Sequence, residues 1–140
     1  MATIDRANDP MMAEAKRFME DYYRTFDANR ADLVKAYRDE SVVNFSGRMI
    51  EGKEAIVAKL TSLQQCQHQI GHIDCYPLRQ TGGVIVIVSG YMWLDGKPDD
   101  LLFNQTFHLM PAPAEEGGSF YVAQQIWSAY DFNNHRAALA

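Results

Sequence analysis

At 140 residues, with a formal charge of −5 and 47% apolar residues, the chain has the size of one domain and enough core-forming side chains to exclude wholesale disorder. Its acidic balance, spread without long blocks, speaks against a role that grips nucleic-acid phosphates, because such binding rests on Lys and Arg. The two cysteines, Cys66 and Cys75, lack the spacing of a disulfide framework or a zinc site, and a reducing compartment fits them best.

Residues 1–10 carry Asp5, Arg6, Asn8 and Asp9 and no apolar core of signal-peptide type, so secretion is not expected. Pro10 is a natural helix start, and Ala15, Phe18, Met19, Tyr22 and Phe26 recur at three- and four-residue steps, which predicts an amphipathic helix over 10–26. Asn29 then caps a shorter helical period through Leu33, Val34 and Tyr37, making a helical hairpin. Val42 to Phe45 is a β-type run closed by Ser46 and Gly47, and Met49 and Ile50 return before Gly52 as the second arm of a small hairpin. Ala55, Ile56, Leu60 and Leu63 again follow helical steps, giving a third helix.

From Gln67 the rhythm becomes that of strands, expected at about 67–76, 84–93, 100–110 and 119–130, with turns at Pro77 to Gly83, Leu94 to Pro98 and Pro111 to Gly118. On one regular strand, Cys66 and Cys75 lie too far apart to bond. Four consecutive strands after helices predict an antiparallel meander in an α+β domain, with the helices gathered on one face. One domain is expected to fill 1–140, with its core at about 12–132. The longest apolar run, Val84 to Val88, is far short of the ~20 residues that cross a bilayer, so no membrane insertion is expected. In the second long strand Val84, Val86 and Val88 occupy one side, while Ile85, Ile87, Tyr91 and Trp93 occupy the other. A strand covered on one face only alternates with polar residues, so this one calls for a second cover. A second subunit supplies it, unless the sheet curls over its own interior.

The chemistry-bearing residues are sparse. His68, His72 and Asp74 share a face if their strand is regular, with Tyr76 beyond them, a set suited to acid–base work or simply to a solvated sheet face. His108 and His135 lie on other elements, and no metal or phosphate-binding motif occurs. No catalytic residue, metal or cofactor is assigned. Asp95, Asp99 and Asp100 cluster around a turn and form a candidate acidic surface for a protein partner, or a plain solvated tip. The aromatics Phe45, Trp93, Phe103, Phe107, Phe120 and Trp127 could line a cavity that receives an apolar side chain of a partner, but most are expected simply in the core.

Taken in order, the segments Phe18 to Asp27 (FMEDYYRTFD), Tyr37 with Gly47 and Glu51-Gly52-Lys53, Ile56 to Leu63 (IVAKLTSL), Asp74-Cys75-Tyr76-Pro77 and Phe103 to Met110 (FNQTFHLM) resemble the nuclear transport factor 2 family over about 12–132. The resemblance implies a cone-shaped curved antiparallel sheet wrapped by three helices and a dimer formed sheet to sheet. That dimer face is assigned to Ile85, Ile87, Tyr91, Trp93, Phe103, Gln105 and Phe107. The founding member binds the GDP form of the GTPase Ran and phenylalanine-glycine repeats of nucleoporins. Relatives pair with the same-fold domain of a larger mRNA-export receptor, and others are enzymes, so fold alone does not decide activity.

Carried over residue by residue, the partner-binding cavity comprises Phe45, Ser46, Leu63 and Trp127. Ser46 replaces an acidic residue of the Ran-binding members, and Gly96-Lys97-Pro98 replaces their acidic pair, although Asp95, Asp99 and Asp100 stand nearby. Ser128 replaces an Arg of the final strand. Phe103 to Phe107 looks more like the small export subunit, whereas Tyr22 to Leu63 looks more like the Ran carrier. On that balance the chain is expected to be a non-catalytic transport adaptor of nucleus, pore and cytoplasm. Its expected role is the small partner of an mRNA-export receptor, binding nucleoporin repeats. The alternatives are a homodimeric Ran-GDP import carrier and an isomerase or dehydratase using His72 and Asp74.

Overall fold

Asp9 and Pro10 set the first element. The Asp9 carboxylate accepts the Met11 N–H at 2.9 Å, and Pro10 opens helix α1, Pro10–Ala28, at a position whose N–H would have no helical partner anyway. The computed structural model describes residues 9–63, 66–94, 101–113, 119–131 and 136–137. Helix α1 buries Ala15, Met19, Tyr22, Tyr23 and Phe26, and the half-buried Phe18 meets Phe120 edge-on at 6.2 Å. The apolar stripe read from the sequence is therefore the face turned to the core.

The second helix is of the 3-10 type, Arg30–Ala36, and differs from the expectation at both ends. Asn29 makes no side-chain cap. Its carbonyl accepts the Asp32 N–H at 3.1 Å, an i to i+3 bond that winds the tighter helix. Tyr37, read as helical from its spacing, is extended and starts strand β1, Tyr37–Phe45. Ser41 stitches the irregular stretch of that strand, accepting the Arg38 N–H and donating to the Val122 carbonyl. Strand β2, Arg48–Glu51, returns from the Ser46-Gly47 turn, and helix α2, Lys53–Ser62, buries Ile56, Val57 and Leu60.

Strands β3 (Cys66–Leu78), β4 (Gly83–Leu94), β5 (Leu101–Pro111) and β6 (Phe120–Asp131) form the predicted antiparallel meander. Strand β1 joins its far side by pairing parallel with β6, so the seven-stranded sheet, in the order β2-β1-β6-β5-β4-β3 with β7 (Arg136–Ala137) on β6, is mixed rather than wholly antiparallel. The parallel pair follows from the route of the chain: the β1–β2 hairpin and α2 intervene before the meander begins. The sheet is curved and unclosed, with the three helices packed against it.

Two layers of side chains leave this sheet. Val84, Val86 and Val88 are fully buried beneath the helices, together with Phe103, Phe107 and Leu109 from β5. Burial of each such side chain contributes roughly 1.5–3 kcal/mol. On β3 the register slips between Ile70 and His72, a bulge that inverts the side-chain parity along the strand.

Candidate partner-binding site

Four candidate residues were expected at a cavity mouth, and three of them meet at the β1–β2 turn. Phe45 ends β1 in parallel register with Trp127 of β6, and the two rings lie 5.6 Å apart at 42°. Ser46 follows with φ 51° and Gly47 with φ 97°, the left-handed pair that a two-residue hairpin needs. The Ser46 N–H reaches the Trp127 carbonyl at 3.3 Å, and the Asn44 side chain accepts the Gly47 N–H at 2.6 Å. Phe45 and Trp127 are buried against each other as a closed wall, while Ser46 is exposed at its rim. The indole Nε1 of Trp127 is buried without a hydrogen-bond partner among the described residues. Leu63 lies half-buried just past the end of α2, on the edge of the same core. Asp95, Asp99 and Asp100 fall outside the described residues.

The outward face of the meander differs from its predicted membership. Register across the strands makes rows of Tyr76, Ile85, His108 and Gln124, and of Asp74, Ile87, Thr106 and Ile126. Tyr91 stands opposite Leu102 in a third row. On this face Ile126 is 56% exposed, Tyr91 48% and Tyr76 40%, with Ile85, Ile87 and Trp93 half-buried. Phe103, Gln105 and Phe107 do not belong to it. They pair with Gly90, Val88 and Val86 and point to the interior, all nearly or fully buried. The family resemblance grouped them with Ile85 and Ile87, but strand parity separates them.

Parity also breaks the candidate acid–base set. His68 lies on the inner side of the β3 bulge, while His72 and Asp74 lie outward as an exposed pair with 3.0 Å between Nε2 and Oδ1. The His68 side chain is fully buried, with Nδ1 2.7 Å from Asp27 Oδ1 and its ring against Tyr23, Phe26 and Phe103. The three residues do not share a face.

Sequence reading missed the polar chain through the interior. Tyr22 and Tyr37 hydroxyls bond each other, Tyr37 donates to Gln125 Oε1 at 2.6 Å, and Gln125 Nε2 donates to Gln105 Oε1 at 3.1 Å. Tyr23 donates to the same Gln105 oxygen at 3.1 Å. Burial pushes the Tyr22 hydroxyl up to about 12 and the Tyr23 and Tyr37 hydroxyls well above their ordinary value, so all three remain neutral donors. Alternation of the apolar and polar positions in Gln125-Ile126-Trp127 was the available signal, since a Trp at the interior brings Gln125 with it.

A separate cavity of about 490 Å³ runs between α1 and the 3-10 helix over Phe18, Tyr22, Leu33 and Phe120, with Arg17 and Lys35 at its edge. Another of about 410 Å³ lies beside Arg38, Lys53 and Tyr121. Neither reaches Phe45 or Trp127. Among the described residues no group of three His, Cys, Asp or Glu side chains would hold a metal, and no helix is long and apolar enough to cross a membrane.

Comparison with known proteins adds to this geometry. The profile of the Nuclear transport factor 2 (NTF2) domain matches residues 14–128. The chain is 48% identical to "Nuclear transport factor 2B" of Arabidopsis thaliana over 117 residues, 82% of this chain and 90% of that protein. It is 44% identical to "Nuclear transport factor 2" of Oryza sativa subsp. japonica, covering 82% of this chain and 93% of the relative. Among solved structures, nuclear transport factor 2 from Cryptosporidium parvum superposes with a TM-score of 0.76 at 32% identity, covering 86% of this chain and 94% of that one. A chain of the C. albicans Mtr2-Mex67 M domain complex superposes with a TM-score of 0.69 at 18% identity, covering 84% and 93%, a likeness of fold alone.

Proposed function

The chain belongs to the nuclear transport factor 2 family, and from that membership we propose that it is a non-catalytic, self-pairing import carrier for the GDP form of Ran, moving between cytoplasm and nucleus. The observation that carries this reading is the 48% identity, over 90% of its length, to a relative named nuclear transport factor 2B. The expectation of an mRNA-export subunit, drawn from Ser46 and from Phe103 to Phe107, ranks second, because its structural counterpart stands at 18% identity.

In this reading the outward sheet face, with Tyr91, Ile87 and Ile126 uncovered, meets a same-fold partner, here a second copy. The Phe45, Ser46, Leu63 and Trp127 corner receives an apolar side chain of Ran, and Asp95, Asp99 and Asp100 supply the negative charge that a basic partner would meet. Phenylalanine-glycine repeats of nucleoporins engage the dimer weakly and repeatedly, which gives firm binding in sum and fast exchange at each contact. The interior supports the non-catalytic reading: its tyrosines are neutral and bonded to glutamines, and His68 is held by Asp27.

Light scattering after size exclusion tests the proposal. The expected result is a dimer mass that gains Ran-GDP on mixing. A dimer or monomer blind to Ran-GDP, which instead recruits a same-fold receptor domain, would return the export-subunit reading.

A further inference from the structure

We propose that Asp27 and Arg30, at the corner where α1 gives way to the 3-10 helix, are positioning residues that grip the chain at residues 63 and 68 and so set Leu63 in place for partner docking. The role of Leu63 rests on the carrier reading above. The grip itself rests on geometry. Arg30 is 9% exposed, and its Nη1 donates to the Leu60 carbonyl at 2.8 Å and the Leu63 carbonyl at 3.0 Å. Its guanidinium lies 4.9 Å above the centre of the Phe26 ring. Those carbonyls sit at the C-terminal end of α2, where helical partners run out and a cation is favoured.

Asp27, three residues earlier, holds the start of β3. One carboxylate oxygen meets His68 Nδ1 at 2.7 Å, and the other accepts the His68 N–H at 3.0 Å. Tyr23, Phe26 and Phe103 enclose the imidazole with ring centres 4.9, 4.8 and 5.0 Å away. Phe26 therefore packs against both the gripping guanidinium and the imidazole that Asp27 holds. A single turn of chain thus fixes the end of α2 and the beginning of β3 through charge-assisted hydrogen bonds, which are stronger than neutral ones. Released, Leu63 would have to be ordered again at each encounter, and that ordering opposes binding.

Arg30→Met keeps an apolar stem on Phe26 and removes the donors, whereas Arg30→Lys keeps one charged donor. Amide hydrogen exchange and Ran-GDP affinity are measured on both variants as full chains. Arg30→Met should speed exchange at the Leu63 amide by about 10-fold or more while β4 and β5 stay protected. It should also weaken Ran-GDP binding about 10-fold at unchanged dimer mass, and Arg30→Lys should recover most of both. Unchanged exchange at Leu63 overturns the grip. Faster exchange with unaltered Ran-GDP affinity, where Leu63→Ala does weaken binding, overturns the positioning role. Wild-type protein blind to Ran-GDP would sink the carrier reading instead, and the exchange comparison still decides the grip.

Discussion

At Gly90 the pairing of β4 with β3 leaves no space for a side chain. An added Cβ would lie 2.2 Å from the Gln69 carbonyl oxygen and 2.8 Å from the Gly71 nitrogen, both backbone atoms fixed by the bulge. Gly90→Ala should therefore cost about 3 kcal/mol or more, read as a lower urea midpoint. Gly71→Ala meets the Ser89 carbonyl at 3.5 Å and the Gly90 Cα at 3.7 Å, both ordinary contacts, and should cost about 1 kcal/mol or less. Equal losses at the two sites would show that close backbone approach is not the constraint. The same bulge explains a misreading. His68, His72 and Asp74 are separated by even numbers of residues, so a regular strand puts them on one face, and the one local signal of the extra residue is Gly71 between the histidines, since an isolated glycine in a strand marks a bulge. The close approach that accompanies the bulge involves Gly90 on another strand, which a reading of one strand at a time does not reach.

At the scale of elements, periodicity located the helices and the four long strands because each carries its own apolar rhythm. It did not deliver register, which belongs to pairs of strands. Strand β4 shows both outcomes: its two apolar faces were legible, and Ile85, Ile87, Tyr91 and Trp93 do lie outward. Phe103, Gln105 and Phe107 were joined to them by family likeness, although their partners Gly90, Val88 and Val86 face inward. The candidate corner was legible in part for the same reason. Phe45 and Ser46 were marked by their own turn, whereas the contact between Phe45 and Trp127 needs a parallel pairing of the first strand with the last long one. These two faces predict opposite effects for adjacent residues. Val86→Ala, buried beneath the helices, should lower unfolding free energy by about 2 kcal/mol and leave the dimer mass unchanged. Ile87→Lys, on the outward row with Thr106 and Ile126, should shift the protein toward monomer with little loss of monomer stability. Light scattering and urea unfolding on both variants separate the cases, and a dimer that survives Ile87→Lys would remove the outward face from the assembly.

For the whole molecule, the two proposed associations draw on different forces and should respond differently to salt. The outward sheet face presents Tyr76, Tyr91 and Ile126 above half-buried Ile85 and Ile87, so pairing through it is driven mainly by removal of apolar surface from water. That term does not weaken as ions are added. The protein as a whole carries a net charge of −5, and the proposed recognition of Ran draws on the apolar Phe45–Trp127 corner and on the negative charge of Asp95, Asp99 and Asp100. Charge of this kind steers a basic partner and is screened within about 8 Å at physiological ionic strength. Raising the salt from about 0.05 M to about 0.5 M should therefore leave the dimer mass unchanged and weaken Ran-GDP binding by roughly 10-fold, mostly through a slower association rate. Replacing Asp95, Asp99 and Asp100 together by Asn should flatten that salt dependence while leaving the dimer intact. Ran-GDP binding that is indifferent to salt would mean that the apolar corner acts alone and that the displaced aspartates do not compensate for Ser46. A dimer that falls apart at low salt would instead identify repulsion between like-charged protomers as the limit on self-pairing.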